Sequence, residues 1–225
     1  MATELLDDHE QSEVARKWVR NNIGWILLGL AAGIGAIWGV EKYQDWRADA
    51  LDRAGHQYGL YLAAVEKKDA AEIKKLGSAL RSNYPESPYA ALSAMSEAEK
   101  VRTAGGKVDE AIASLRWAYE NSKFDELKDL AALRLARALV DAGKLDDAIK
   151  LVDGVKANGF SAQAAELRGD IRLAQGKPGD ARTAYEQSLA ELDSSSPRRR
   201  YVEMKRDDLA GVAPVAPMAV PKAGG

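Results

Sequence analysis

The sequence predicts an all-α protein: an N-terminal single transmembrane helix, then an α-solenoid of about four helical hairpins with a C-terminal capping helix. Two observations carry this expectation. Residues Ile23 to Val40 form an eighteen-residue run whose only polar groups are the indoles of Trp25 and Trp38. Beyond it, the pattern Gly-Lys-x-x-acid-Ala recurs at Gly106–Ala111, Gly143–Ala148 and Gly176–Ala181, at offsets of 37 and 33 residues. The expected segments are 1–22, a polar N-terminus; 23–40, the membrane anchor; 41–209, the repeat domain; and 210–225, a disordered Ala/Pro-rich tail.

The apolar run makes a helix of about 27 Å, close to the roughly 30 Å of a bilayer's hydrocarbon core. A helix satisfies its own backbone groups, which lipid cannot do. Trp18, Trp25, Trp38 and Trp46 bracket the run, and only Trp117 lies elsewhere. Indoles favour the headgroup level, where the ring is in apolar surroundings and the N–H reaches water. A buried core helix fits less well, because core helices of this length usually carry a polar face. A cleaved signal peptide would have a shorter apolar core and a shorter charged leader, although Gly33-x-Gly35 offers a weak cleavage site. Three basic residues, Arg16, Lys17 and Arg20, precede the run, against two, Lys42 and Arg47, after it. Orientation follows basic residues, so the N-terminus is expected in the cytoplasm and the repeats across the membrane.

Within the run, three small-xxx-small pairs occur: Gly29 with Gly33, Ala32 with Ala36, and Gly35 with Gly39. Such spacing lets helix backbones approach closely, a main attraction between helices in lipid. These six residues are the expected packing surface of the membrane helix. The plainer account is that glycine is common in membrane helices.

Composition narrows the chemistry. A net charge of −2 provides no basic field for nucleic acid. The chain has no cysteine, which excludes disulfides, thiol catalysis and thiolate metal sites. The two histidines, His9 and His56, stand on opposite sides of the apolar run and are expected to face solvent. No Gly-rich phosphate loop precedes a helix, and Gly105-Gly106-Lys107 lacks the required spacing. Catalytic residues, metal ligands, cofactors and a small-molecule substrate are therefore not expected.

The repeat has a physical logic. A period near 34 residues marks tetratricopeptide-type hairpins. Each glycine ends helix A in a left-handed conformation. Asp109, Asp146 and Asp180 meet the positive end of helix B. Ala111, Ala148 and Ala181 let helix B pack tightly on helix A. Twelve residues upstream stand Ala136 and Gly169 in the later repeats but Glu99 in the first, a departure or a one-residue register shift at Gly105-Gly106.

Other elements are marked as clearly. Tyr43 to about Val65 continues the membrane helix, and Asp69–Leu80 is its partner. Ser87-Pro88 opens a helix as N-cap and first-turn proline. Asn158-Gly159 ends a helix, and Ser161 begins the next. Ser196-Pro197 opens the last, with Val202 and Leu209 as an apolar pair. Arg198-Arg199-Arg200 at that helix start opposes the helix dipole. The triplet is either a solvated charge run or a contact to an acidic partner or lipid headgroups.

The anchor followed by these repeats resembles the YfgM-type ancillary subunits of the SecYEG translocon. Leu133-Arg134-Leu135-Ala136-Arg137, the Gly143 turn, Ala165 to Asp170, Gly176 and Ala181-Arg182 carry the similarity, which covers about residues 5–209. The Pro-rich tail is outside the family pattern. The resemblance implies a non-enzymatic inner-membrane protein with a periplasmic repeat domain. Its implied partners are the translocon, a membrane-anchored chaperone of the prolyl-isomerase class (PpiD) and translocating clients. A structural adaptor for cell division or wall synthesis is the alternative. By repeat register, the concave binding face includes Leu133, Arg137 and Val140, then Glu166, Asp170 and Leu173; the three apolar members also suit a core between hairpins.

Overall fold

The computed structural model describes residues 8–156, 158–209 and 211, without the side chains of residues 8–12, 14, 15 and 158. The expected tail from Ala210, apart from Gly211, and the side chain of His9 lie outside the described residues. His56 is exposed, as expected. The chain divides into two compact units at Asp52/Arg53.

The first unit is helical. Its described residues belong to α1 (Asp8–Glu66), which is long and apolar enough to cross a membrane. None of the apolar stretch is buried: Trp25, Leu30, Ile34, Ile37 and Trp38 are all exposed. This excludes the buried core helix considered above. The expected packing surface is exposed too. Ala32 and Ala36 are open along the helix. Among the described atoms, none lies within 4 Å of a Cβ placed on Gly29, Gly33, Gly35 or Gly39. Among the described residues, the six small residues therefore show no packing partner outside their own helix.

The second unit begins in the last turns of α1 and continues through α2 (Ala70–Asn83), α3 (Pro88–Thr103), α4 (Val108–Asn121), α5 (Asp125–Asp141) and α6 (Leu145–Asp153). A 3₁₀ turn (Asn158–Phe160), α7 (Ser161–Ala174), α8 (Pro178–Glu191) and α9 (Pro197–Asp207) complete it. The described residues form no strand. The pairs α1/α2, α3/α4, α5/α6 and α7/α8 are the four expected hairpins, and α9 is the expected cap. Successive first helices also touch, α3 to α5 and α5 to α7, so they form one continuous inner layer.

Local chemistry explains the boundaries. The Asp69 carboxylate accepts from the Glu72 N–H at 3.1 Å and starts α2. The Ser87 hydroxyl accepts from the Ala90 N–H at 3.2 Å and starts α3, with Pro88 at its first turn. Ser196-Pro197 opens α9, but without a side-chain cap bond. One expectation is corrected: α6 ends at Asp153 with Gly154 as its cap, and Asn158-Gly159 belongs to the 3₁₀ turn entering α7.

The last three hairpins share one turn. Gly105, Gly143 and Gly176 have φ of 68°, 72° and 72°. The following N–H donates five residues back, from Gly106 to Val101, Lys144 to Leu139 and Lys177 to Arg172, at 2.8–2.9 Å. This bond satisfies a helix-end carbonyl that would otherwise lack a partner. The left-handed residue of the first turn is therefore Gly105, not Gly106. Counting seven back from each left-handed glycine gives Ala98, Ala136 and Gly169, all buried. Glu99 is thus no exception to the pattern. The first turn carries one extra residue, and the register shift is real.

These small positions seat helix B. At Gly169 the Tyr185 ring lies where a Cβ would stand. Tyr185 and Ala181 are almost fully buried beside it. Alanine usually stabilises an exposed helix interior by about 1 kcal/mol over glycine. At this site the sign reverses: Gly169→Ala is expected to destabilise the protein by roughly 1–3 kcal/mol through overpacking. Urea unfolding followed by far-UV circular dichroism measures it.

Candidate protein-binding groove

The inner layer carries a cavity of about 730 Å³, lined by residues of α3, α4, α5 and α7. Its α5 wall includes Arg134, Arg137 and Asp141, which are three and four residues apart and so share one helix face. All three are exposed. Glu99 and Arg102 of α3 stand across from them and pair with each other at 2.6 Å. That bond from Arg102 holds the Glu99 carboxyl below its ordinary range.

Three of the six concave-face residues expected from sequence, Arg137, Val140 and Asp170, line this cavity. The other three do not. Leu133 is 0% exposed and belongs to the core between hairpins. Leu173 is 43% exposed but lies outside the cavity lining. Glu166 is only 3% exposed, because α9 lies over it. Of the expected stripe 133/137/140 only Leu133 is absent from the lining, which Arg134, Ala138 and Asp141 join. Leu133 turns inward because α5 is packed against α3, α4, α6 and α7, which leaves only a narrow face open.

The capping helix does more than end the stack. Arg198 Nε donates to Glu166 Oε2 at 2.5 Å, and Lys205 Nζ donates to Glu166 Oε1 at 2.9 Å. Lys205 also reaches both oxygens of Asp170, at 2.7 and 2.9 Å. The Tyr185 hydroxyl donates to Asp170 Oδ1 at 2.8 Å. Lys205 sits 4.6 Å from the centre of the Tyr201 ring, a cation–π distance. Beneath these pairs, Val202 is fully buried against Ala181, Tyr185 and Leu189.

The electrostatics follow. Burial alone would raise the Glu166 carboxyl, but the bonds from Arg198 and Lys205 outweigh it and hold the group below its ordinary value. Burial alone would lower the Lys205 ammonium, but Asp170 and Glu166 outweigh it and hold the group above its ordinary value. Burial, with Asp170 beside it, pushes the Tyr185 phenol far up. Two members of the Arg triplet are engaged within the chain. Arg198 pairs with Glu166, while Arg199 donates to the Leu189 and Leu192 carbonyls and pairs with Glu203. Arg200 is exposed.

Sequence reasoning missed Lys205 and Arg134. Lys205 was legible in principle: Arg198, Val202, Lys205 and Leu209 follow i, i+4, i+7, i+11 spacing, so cations and apolar residues share one face of α9. Arg134 lies beside Arg137 on that open α5 face.

This architecture and the anchor match the family model described as a tetratricopeptide repeat-like domain, over residues 16–211. The chain belongs to that family. Three relatives called "Ancillary SecYEG translocon subunit" align along nearly their whole lengths. The protein of Haemophilus influenzae (strain ATCC 51907 / DSM 11121 / KW20 / Rd) is 26% identical over 204 residues, 91% of this chain and 98% of its own. That of Escherichia coli (strain K12) is 26% identical over 206 residues, 91% and 97%. That of Neisseria gonorrhoeae (strain ATCC 700825 / FA 1090) is 28% identical over 210 residues, 93% and 100%. The similarity expected from the anchor and repeat residues is thus found across the chain. Among the described residues, no group of three or more His, Cys, Asp or Glu could hold a metal ion.

Lys205→Met is expected to destabilise the family fold here by roughly 3 kcal/mol, since it leaves two largely covered carboxylates short of a partner. The pH dependence has two limbs. Glu166 is held below its unfolded value, so its contribution is present above the ordinary Glu range and lost as pH falls through the folded value. Lys205 is held above its unfolded value, so its contribution is present below the ordinary Lys range and lost as pH rises through the folded value. Denaturation midpoints measured across pH should fall at both ends, with the alkaline limb flattened in Lys205→Met.

Proposed function

We propose that this chain is a single-pass protein of the bacterial inner membrane that associates with the SecYEG translocon as a non-enzymatic scaffold. In this reading residues 1–22 are cytoplasmic, 23–40 span the membrane and 41–209 form a periplasmic repeat domain, with the Ala/Pro-rich segment 210–225 behind it. The repeat domain passes translocating clients to a membrane-anchored chaperone of the PpiD class by protein–protein contact.

The observation that carries this reading is the end-to-end alignment with ancillary SecYEG translocon subunits, anchor and repeats together. A repeat domain alone would speak only for protein binding. The groove supports the mode of action: it is apolar at its floor, charged at its rim and built on stacked helices, as suits capture of a peptide or helix. Orientation rests on the basic residues before the apolar run.

Two measurements test it. In spheroplasts, added protease should digest the repeat domain; protection there would place the domain in the cytoplasm and overturn the topology. Crosslinking in native membranes should recover translocon subunits and a PpiD-class chaperone, and recovery of division or wall-synthesis proteins instead would overturn the assignment. The small faces of the anchor, Gly29, Gly33, Ala32, Ala36, Gly35 and Gly39, are proposed to pack against another membrane helix. Gly33→Leu with Gly39→Leu should then weaken crosslinking through the anchor by roughly tenfold, an effect of about 1.4 kcal/mol. Unchanged crosslinking would assign those glycines no packing role.

A further inference from the structure

We infer that the groove between α3, α5 and α7 takes an acidic peptide segment with small apolar side chains, whose carboxylates are held by Arg134 and Arg137. This deepens the protein-binding reading above and rests on it.

The charge inventory points to the sign of the ligand. Arg134 and Arg137 are exposed, line the groove one helical turn apart, and make no ion pair among the described residues. Nearby acids are engaged elsewhere: Glu99 with Arg102, Glu166 with Arg198 and Lys205, Asp170 with Lys205 and Tyr185. The remaining acid of that α5 face, Asp141, acts on Arg102. The groove therefore presents two unpaired guanidinium forks against one carboxylate, Asp141, that has no ion pair among the described residues, and a guanidinium matches a carboxylate in a two-bond geometry.

Arg137 is the more telling of the two. Its surroundings strip water from it, and Arg198 opposes it, which lowers its pKa. Glu166 and Asp170 pull the other way but are already bonded to α9. By docking, the capping helix takes the acids Arg137 would otherwise use. A partly dehydrated, unpaired cation at a groove gains from an incoming anion more than a fully hydrated one does.

The walls indicate what carries that anion. Ala98, Ala111 and Ala138 leave shallow seats, and Val108 and Val140 add apolar surface. A cavity of about 730 Å³ suits a few side chains of a peptide. A flat anionic lipid surface fits poorly, because both arginines line a concave cavity that a peptide segment can enter.

The test uses the full chain in non-ionic detergent micelles and fluorescently labelled synthetic peptides of equal Ala, Val and Leu content with net negative, zero or net positive charge. Fluorescence anisotropy should show the negative set bound roughly tenfold more tightly than the neutral set. Arg134→Gln with Arg137→Gln should abolish the difference, and Arg134→Glu with Arg137→Glu should invert it. Both residues are exposed, and matching circular dichroism melts confirm that the variants remain folded. Binding indifferent to peptide charge, no binding of any set, or a preference unchanged in the double variants overturns the inference. So does an arginine-dependent preference for phosphatidylglycerol vesicles over the peptides. Translocon crosslinking measured on the same variants separates the two claims: crosslinks retained alongside charge-indifferent peptide binding overturn this inference and leave the scaffold assignment standing.

Discussion

The repeat domain depends on the close approach of two helices within each hairpin. A hairpin this short cannot bury enough apolar surface by itself, so it must pack tightly inside and then stack on its neighbours. Ala98, Ala136 and Gly169 make the first condition possible, with Ala111, Ala148 and Ala181 opposite them. The left-handed glycine seven residues after each seat turns the chain back at a fixed distance, so seat and turn form one unit. The inner layer of α3, α5 and α7 exists because three such units repeat, and the groove exists because that layer is continuous.

A stack must also stop. Its last hairpin would otherwise expose the surface that a further repeat would cover. The α9 helix covers it with one buried Val202 and a set of charges, a different solution from another apolar helix. Burying charge is costly unless partners are complete, and the Glu166–Arg198–Lys205–Asp170 set comes close to completeness. The ending is therefore specific to this helix and this register. It also decides the shape of the functional surface, because two acids expected to face a ligand are used internally.

Much of this was legible in the sequence, for identifiable reasons. The long apolar helix was legible because its length and composition are both carried by consecutive residues. The hairpins were legible because turn glycines and helix-start residues act locally. The groove was legible only in part. One helical position is about 100°, so the step from Leu133 to Arg134 exchanges core for surface. Only the packing around α5 fixes that rotation. The pairing of α9 with α7 joins residues more than thirty positions apart, and no local rule reports it. The Arg triplet was misleading for the same reason: it runs against the helix dipole, yet its first two members find partners on neighbouring helices.

The extra residue between Gly105 and α4 has a consequence for how such a domain diversifies. Gly105, Gly106 and Val108 all stand at the mouth of the groove, while the seats beneath are undisturbed. Lengthening that turn by one residue alters the entrance and leaves the interior intact. Selection can thus retune what the groove admits by insertion or deletion at a solvent-exposed bend, without compensating changes in the buried layers.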